Sequence, residues 1–299
     1  MFFILLISKK LIMKDLVNKI EGKFKFPLLF SFFFFSLMIL ACSSSDDPKK
    51  EPTPDPPQVE YAKKEGDIRI LSYNVRHFEN DNKQLEYNNI AKIIKSLNAD
   101  VVCLQEVDNK TKRSKGVDQI KEIATLTGMH SAFSKSIDSQ DGEYGNGMLS
   151  KEKAIETKQF ALPGNEARSV LLSVFKDYVV LSTHLSLEDY NRVQSIKTIS
   201  EIVKEYEDKA VFLAGDLNEG NLSSPFFNEV KKNWSIDSAS KNTYPSPNPT
   251  KRIDFILSYT TNKIKTQVTQ SDVVYGLKEA KVPSASDHFP LFCDYKITK

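Results

Sequence analysis

From residue 66 onward, short apolar segments alternate with longer amphipathic ones. The segment "IRILSYNV" (68–75) begins with alternating apolar and polar residues and then becomes continuously apolar, as buried β-strands do. In "LEYNNIAKIIKSL" (85–97), the apolar residues recur at the spacing that places them on one face of a helix. The pattern therefore predicts a strand followed by an amphipathic helix.

The same criteria predict strands and helices along the rest of the chain. The predicted strands lie at 99–107, about 130–134, 146–150, 154–160, 169–175, 178–183, 211–214, 253–258, 264–274 and 289–296. The predicted helices lie at 117–128, at about 188–206 and directly after Ser224-Pro225. Many strands with few helices indicate an α/β fold with two packed β-sheets and helices outside them, in one domain over residues 66–299.

The first 65 residues have a different pattern and are predicted to lie outside this domain. Lys23 and Lys25 precede an apolar run that ends at Ala41-Cys42, which is typical of a secretory signal. The run is shorter than the roughly 20 apolar residues that a membrane-spanning helix needs. We therefore predict a signal segment at 1–42, with Met13 as an alternative start, and a flexible Pro/Ser/charged tether at 43–65.

The residues around Cys42 resemble a lipoprotein signal. "ILAC" (39–42) is similar to a lipobox, and "SSSDD" (43–47) resembles the surface-export signal of Bacteroidetes-type lipoproteins. The resemblance implies an exported lipoprotein at the outer membrane or cell surface, held to the membrane through a lipid on Cys42. An uncleaved signal anchor and a plain secreted protein are the alternatives.

The charge of the remaining chain argues against unspecific binding to nucleic acid. The full chain contains 41 basic and 39 acidic residues, but six basic and two acidic ones lie in residues 1–42. The rest therefore carries 35 basic and 37 acidic residues, a formal charge of −2. Proteins that bind a nucleic-acid backbone without sequence preference usually present a basic face.

The two cysteines after the signal segment, Cys103 and Cys293, both lie in apolar runs. Small domains that depend on disulfides carry many more cysteines, so we expect these two to be buried and unpaired.

Polar side chains stand at or next to the ends of several predicted strands. They are Asn74, Glu106, His184, Asp216, Asn218, Asp254, Asp287 and His288. If those strand ends converge, the carboxylates would be costly to desolvate together without a cation between them. Oxygen ligands without sulfur favour Mg²⁺ or Mn²⁺, and such a cation is usual where a phosphate is the substrate.

The sequence resembles the endonuclease/exonuclease/phosphatase superfamily over about residues 67–297. The resemblance rests on segments that follow the family order: "SYNVR", "LQEV", "YGNGMLS", "STHL", "GDLN", "RIDFIL" and "SDHFPL". It implies the DNase I-like fold, a four-layer α/β sandwich in which two packed mixed β-sheets are flanked by helices. It also implies a hydrolase of phosphoric ester bonds that uses Mg²⁺ or Mn²⁺.

The resemblance implies roles for the residues that match the motifs. Glu106 would be the main metal ligand, Asp287 would complete the metal site, and Asn74 would orient it. Asp216 would position or deprotonate the attacking water, and Asn218 would hydrogen-bond the phosphate or that water.

The two histidines would contact the phosphate. The resemblance implies that His288 donates to the scissile phosphate while Asp254 holds its ring, and that His184 is a second phosphate contact. We expect Glu143 to be the carboxylate partner of His184, and Arg168 to reach a phosphate oxygen.

Further residues are expected at the substrate pocket. Asn146 and Tyr244 are predicted to bind substrate, with Lys251 and Arg252 as further candidates. Arg76 stands where abasic-site endonucleases carry a carboxylate, which indicates a different branch of the family.

Four other polar residues match no motif or leave their role open. His77 and His130 match none, and we expect them to be surface or satisfied core residues. The face of Arg192 and Gln194 would contact either substrate or solvent.

Three functions remain open at this point. The first is a phosphoesterase that acts on small or lipid-linked phosphate mono- or diesters by in-line attack of activated water, as a monomer. The second is an extracellular nuclease, which would need a basic groove built from Lys251-Arg252 or from the basic residues of 108–116, namely Lys110, Lys112, Arg113 and Lys115. The third is an inactive binding module that keeps the fold.

Overall fold

The computed structural model describes residues 61–261 and 263–298. The predicted signal segment, Cys42 and most of the predicted tether lie outside these residues. Within the described ranges, no helix combines the length and the apolar character that crossing a membrane requires. Tyr61 and Lys63 contact the folded domain: the Tyr61 ring packs edge-on against Phe292 at 5.5 Å, and Lys63 forms an ion pair with Asp100 at 2.6 Å.

The first sheet contains six strands from both ends of the described chain. They are β1 (Ile68–Asn74), β2 (Val101–Asn109), β3 (His130–Ser139), β4 (Gly142–Ser150), β11 (Lys265–Val273) and β12 (Leu291–Thr298). Their order across the sheet is β11-β12-β1-β2-β4-β3. Only the pair β1 and β2 is parallel, so the sheet is mixed.

The second sheet also contains six strands, from the middle of the chain. They are β5 (Glu156–Leu162), β6 (Arg168–Val174), β7 (Tyr178–His184), β8 (Ala210–Asp216), β9 (Trp234–Ile236) and β10 (Asp254–Tyr259). Their order is β5-β6-β7-β8-β10-β9, and only β7 and β8 are parallel.

Four helices connect the strands. They are α1 (Tyr87–Leu97), α2 (Gln119–Thr127), α3 (Asp189–Ile202) and α4 (Pro225–Val230). Single 3₁₀ turns follow β1 at Arg76–Phe78 and α3 at Val203–Tyr206. The Asp118 and Ser224 side chains cap α2 and α4 by accepting backbone N–H groups, and Gly128 ends α2 in the left-handed conformation.

The core lies between the sheets and beneath the helices. Between the sheets, Phe212 of β8 packs against Tyr295 of β12 with ring centroids 4.3 Å apart. A second apolar cluster packs α3 and α4 on the other face of the second sheet, with Ile196, Ile199 and Phe227 buried in it. Apolar contact on both faces explains why the central strands are almost continuously apolar. The predicted α/β sandwich of two mixed sheets flanked by helices is confirmed.

Most predicted elements are present, with differences where the sequence pattern is weak. Strands β3 and β4 are longer than predicted and meet at a two-residue turn, Gln140-Asp141, in which both residues have positive φ. The pattern missed β9, which is only three residues long. Cys103 and Cys293 are buried and free, as predicted.

Candidate active site

The strand register brings three of the predicted site residues together. Asp216, the last residue of β8, pairs with His184 on β7 and with Asp254 on β10. Gly215 permits this close approach, since a Cβ at that position would lie 1.9 Å from the Thr183 carbonyl oxygen. The glycine of "GDLN" is therefore needed for strand pairing directly beside the site.

Asp216 is at the centre of the assembled group. Its Oδ2 accepts a hydrogen bond from Asn74 Nδ2 at 3.1 Å and lies 3.6 Å from His184 Nε2 and 3.7 Å from His288 Nε2. Its Oδ1 accepts from the Asn218 backbone N–H at 3.0 Å. Asp216 is 2% exposed, and this burial raises the pKa of its carboxyl group. A buried carboxylate with a raised pKa can accept a proton from water.

His288 is held by Asp254. Its Nδ1 lies 2.9 Å from Asp254 Oδ2, which also accepts a hydrogen bond from the Thr243 hydroxyl. Burial lowers the pKa of His288, but Asp254 and then Asp216 raise it more strongly, to about 10. The ring is therefore a cation at neutral pH, with Nε2–H available as a donor.

His184 has the opposite protonation state. Burial lowers its pKa to about 4, because the attraction of Asp216 offsets only part of the desolvation. Its Nδ1 is buried without a hydrogen-bond partner among the described residues. The prediction that Glu143 is its carboxylate partner is wrong, since Glu143 accepts from Asn109 at 2.8 Å and lies near Lys135.

Glu106 is placed by a β-bulge. The register of β2 against β4 shifts between Leu104 and Val107, and Glu106 within this bulge has φ of 60°. Non-glycine residues rarely adopt this conformation, and bulges of this kind re-aim side chains beside active sites. Asn74 Nδ2 donates to Glu106 Oε1 at 3.0 Å, so one amide group holds both Glu106 and Asp216.

The donor set fits a hard divalent cation. Glu106 and Asp287 both face the same cleft and offer carboxylate oxygens, which Mg²⁺ and Mn²⁺ prefer. Asn74 Oδ1 accepts the Arg76 backbone N–H at 3.1 Å, so Asn74 orients Glu106 and Asp216 through its side-chain NH₂ group.

A second group of possible ligands is less suitable. Asp216, Asp254 and His288 offer ligand atoms within 4.8 Å of one another. However, His288 Nδ1 and Asp254 already satisfy each other, and a protonated imidazole has no free lone pair for a metal. This cluster is better described as a hydrogen-bonded acid–imidazole pair beside the candidate metal ligands Glu106 and Asp287.

The site residues line a cleft of about 670 Å³. Its lining includes Glu106, Tyr144, Glu166, Arg168, His184, Leu187, Arg192, Asp216, Asn218, Glu219, Tyr244, Lys251, Asp287 and His288. Arg168 is buried and forms an ion pair with Glu166 at 2.9 Å, and the Tyr244 ring packs 4.7 Å from the His288 ring. The sequence pattern missed Tyr144, Glu166, Leu187 and Glu219, of which Tyr144 stands in the matched segment "YGNGMLS".

Two predicted pocket residues do not line this cleft. Asn146 is 1% exposed and donates to the Ser169 carbonyl oxygen at 3.0 Å, next to Arg168. Arg252 donates to the Ser238 carbonyl oxygen at 2.7 Å and lies over the Phe255 ring. Both side chains are therefore held by contacts outside the cleft.

Arg192, whose role the sequence left open, ties together two loops of the site. It donates to the Leu187 carbonyl oxygen at 2.6 Å in the loop after β7, and to Glu219 at 3.1 Å in the loop after β8. Asn218 Nδ2 makes a parallel link to the Leu185 carbonyl oxygen at 2.9 Å. These contacts fix the segments that follow His184 and Asp216.

The charged lining of the cleft is unfavourable for a polyanion. Five carboxylate residues line it, against the cations Arg168, Arg192, Lys251 and the protonated His288, and both arginines are paired with carboxylates. None of the four basic residues of 108–116 lines it. Arg113 binds Asp108 at 2.7 and 2.9 Å, and its guanidinium lies 5.4 Å from the ring of Tyr144, which does line the cleft.

Comparisons with known proteins agree with this geometry. The profile of the Endonuclease/Exonuclease/phosphatase family matches residues 71–288, more than half of the chain. In Escherichia coli (strain K12), the protein known as "Uncharacterized protein YbhP" is 24% identical over 169 residues, which cover 51% of this chain and 67% of that protein.

Solved structures from Bacteroides thetaiotaomicron share the fold. An endonuclease/exonuclease/phosphatase family protein is 18% identical with a TM-score of 0.64, covering 80% of this chain and 100% of the other. A mannosyl-6-phosphatase is 18% identical with a TM-score of 0.62, covering 78% of this chain and 100% of the other. The predicted superfamily and reaction class, hydrolysis of phosphoester bonds, are confirmed.

Proposed function

Because the chain belongs to the Endonuclease/Exonuclease/phosphatase family, we propose that it is a divalent-metal-dependent hydrolase of small phosphate esters. The observation that carries this proposal is the placement of Asp216. Its carboxylate is buried among an amide and two imidazoles, and the same amide holds Glu106 at the cleft. This arrangement provides a proton acceptor, a cationic hydrogen-bond donor and a place for a cation within one cleft.

Glu106 and Asp287 would hold the divalent cation, and Asn74 would orient Glu106. When bound, the cation supplies positive charge that stabilises the phosphate oxygens in the transition state. Asp216 orients the attacking water and accepts its proton, while the Asn218 backbone N–H fixes the Asp216 carboxylate.

The remaining residues bind the phosphate. The protonated His288 donates from Nε2 to a non-bridging oxygen, where negative charge develops during in-line attack. Arg168 and the neutral His184 line the same cleft as further contacts for the phosphate. The Tyr244 ring packs against His288 and limits its movement.

The charge of the cleft supports a small substrate over nucleic acid. The carboxylates at its wall, Glu166 and Glu219, neutralise Arg168 and Arg192, so the wall offers a phosphate backbone little free positive charge. Both carboxylates can accept hydrogen bonds from hydroxyl groups. The mannosyl-6-phosphatase likeness supports beginning a substrate panel with hexose phosphates. Chelator-sensitive nicking of plasmid DNA without turnover of small esters would favour the nuclease instead.

Replacement of Asp216 tests the proposed role directly. We expect Asp216→Asn, which keeps the shape of the side chain, to lower kcat by about 10²- to 10⁴-fold. The matched control is Asp208→Asn, an exposed aspartate just before the other end of β8. Steady-state assays on p-nitrophenyl phosphate and bis-p-nitrophenyl phosphate, in excess Mg²⁺ and with chelator, provide the measurement. Near-normal activity of Asp216→Asn would contradict the proposal, as would activity unaffected by the chelator.

We further propose that a lipid on Cys42 anchors the enzyme at the cell envelope, which rests on the lipobox resemblance of residues 39–42. Labelling of cells with a radioactive fatty acid should mark the wild-type protein and leave Cys42→Ser unlabelled. Equal labelling of both proteins would contradict the anchor.

A further inference from the structure

The turn between β1 and α1 has a backbone conformation that residues with side chains rarely adopt. Arg76, His77 and Phe78 have φ values of 44°, 44° and 60°. Single residues other than glycine visit this left-handed region at a cost, and three in succession are unusual. Such a conformation persists only where the surrounding structure holds it in place.

Several contacts hold this turn. The Phe78 ring is fully buried and lies 5.0 Å from the Tyr87 ring. The buried Gln119 side chain donates to the His77 carbonyl oxygen at 2.7 Å and accepts the Asp108 backbone N–H at 2.8 Å. The turn is therefore fixed to α1, α2 and β2 together.

The consequence of the turn is the position of the Arg76 guanidinium. Arg76 Nε lies 3.9 Å from Asp287 Oδ2, and both side chains are one-third exposed. Among the described residues, Arg76 is the one cation that forms an ion pair with Asp287. Among the described residues, the other polar contact of the Asp287 carboxylate is the Ser286 hydroxyl, which lies 3.4 Å from Oδ1 and donates to the Asn74 carbonyl oxygen at 2.7 Å. A permanent positive charge thus lies beside one of the two carboxylates proposed to hold the metal.

We propose that Arg76 is a positioning residue that weakens the binding of the divalent cation, an inference that rests on the proposed metal site. The affinity of an oxygen site for a divalent cation depends on the net negative charge of its ligands. Arg76 compensates part of the charge of Asp287, so Glu106 and Asp287 together attract the cation less strongly than two free carboxylates would. The cation is then held firmly only when the substrate phosphate supplies further oxygen ligands.

Metal binding by the purified full-length chain tests this role. Isothermal titration calorimetry with MnCl₂ and MgCl₂ would compare the wild type with Arg76→Gln, which removes the charge, and Arg76→Lys, which keeps it. Lys204→Gln is the matched control, because Lys204 is exposed and lies before β8, at the opposite end from Asp216. We expect Arg76→Gln to lower the Kd by about three- to tenfold, as expected for one partly screened charge. Arg76→Lys and the control should remain within twofold of the wild type.

The inhibition constant of inorganic phosphate separates this role from direct substrate binding. We expect it to change less than the metal Kd in Arg76→Gln. If phosphate binding weakens while the metal Kd is unchanged, Arg76 is a phosphate ligand and the inference is overturned. The melting temperature of metal-free Arg76→Gln shows whether the variant is folded like the wild type. If the two temperatures differ, the same titrations are made with Arg76→Met.

The two proposals fail in different ways. If the wild type binds no divalent cation even in the presence of inorganic phosphate, the proposed metal-dependent function is contradicted. If the wild type binds one cation and Arg76→Gln binds it equally well or more weakly, only the role of Arg76 is contradicted.

Discussion

His184 and His288 flank the same carboxylate, yet their protonation states differ. Both rings are buried, and burial lowers the pKa of each. His288 also has Asp254 at 2.9 Å from its Nδ1, whereas the Nδ1 of His184 has no partner among the described residues. One hydrogen-bonded carboxylate therefore decides which imidazole carries the positive charge.

Replacing Asp254 should lower the pH at which His288 titrates. In Asp254→Asn the attraction that raises the pKa of His288 to about 10 is reduced, and burial then lowers that pKa. We expect the His288 resonance of the metal-free protein to titrate at a lower pH, and the alkaline limit of kcat/KM to move down with it. NMR titration and a pH–rate profile provide the two measurements. An unchanged His288 titration would contradict the assignment of Asp254.

The same pKa shift predicts how stability depends on pH. The pKa of His288 is about 10 in the folded protein and about 6.5 in an unfolded chain. Its contribution to stability is therefore complete below about 6.5 and is lost as the pH rises through about 10. Urea denaturation between pH 6 and 10 should show this loss in the wild type and a smaller one in Asp254→Asn. Equal pH dependence in the two proteins would exclude His288 as its source.

At the scale of elements, the left-handed turn after β1 should depend on the buried Gln119. In Gln119→Leu, the His77 carbonyl and the Asp108 N–H lose their partners inside the protein, which costs about 1–3 kcal/mol for each unsatisfied group. Denaturant unfolding would measure the loss. Gln159→Leu, at an exposed position of β5, is the control and should change stability by less than about 0.5 kcal/mol. If both variants lose equally little, Gln119 does not hold the turn.

The sequence predicted the strands whose hydrophobic pattern follows directly from their burial. Residues 211–214 are continuously apolar because both faces of their strand are covered. In 68–75 the apolar residues are interrupted by Arg69, Ser72 and Asn74, yet the pattern still predicts a strand, and both central strands are in place. The turn at Arg76–Phe78 was not predictable, since no glycine marks its positive φ.

A contact within the site was predictable where the two residues that make it lie in the same sequence motif. Asp216 and Asn218 lie in one motif, and the backbone N–H of one binds the side chain of the other. The surroundings of His184 come from separate strands, and for that reason the expected contact with Glu143 was wrong. Glu166 and Glu219 lie in loops whose lengths and directions the pattern does not fix.

At the scale of the whole molecule, the fold closes by pairing its first and last strands. Strand β12 lies antiparallel to β1, in the middle of the first sheet. Arg69 of β1 binds Asp294 of β12 through Nε at 2.6 Å and Nη2 at 2.7 Å, and both side chains are fully buried. The same guanidinium donates to the carbonyl oxygens of Tyr61 and Leu97, each at 2.7 Å. This single side chain therefore joins the beginning of the domain, the end of α1 and the last strand.

Removing the charge of Asp294 should destabilise the entire domain. In Asp294→Asn, Arg69 remains a buried cation without a charged partner, and breaking such a pair costs about 3–5 kcal/mol. Asp138→Asn removes an equivalent charge from the exposed pair with Lys135, and we expect a change of at most about 1 kcal/mol. Urea denaturation followed by circular dichroism would measure both variants. Because the pair joins the two ends of the described fold, the loss should appear as one cooperative transition at lower urea. Asp287 and His288 lie immediately before β12 and belong to the candidate site. A separate early transition would therefore mean that β12 unfolds independently of that site, and it would contradict the prediction.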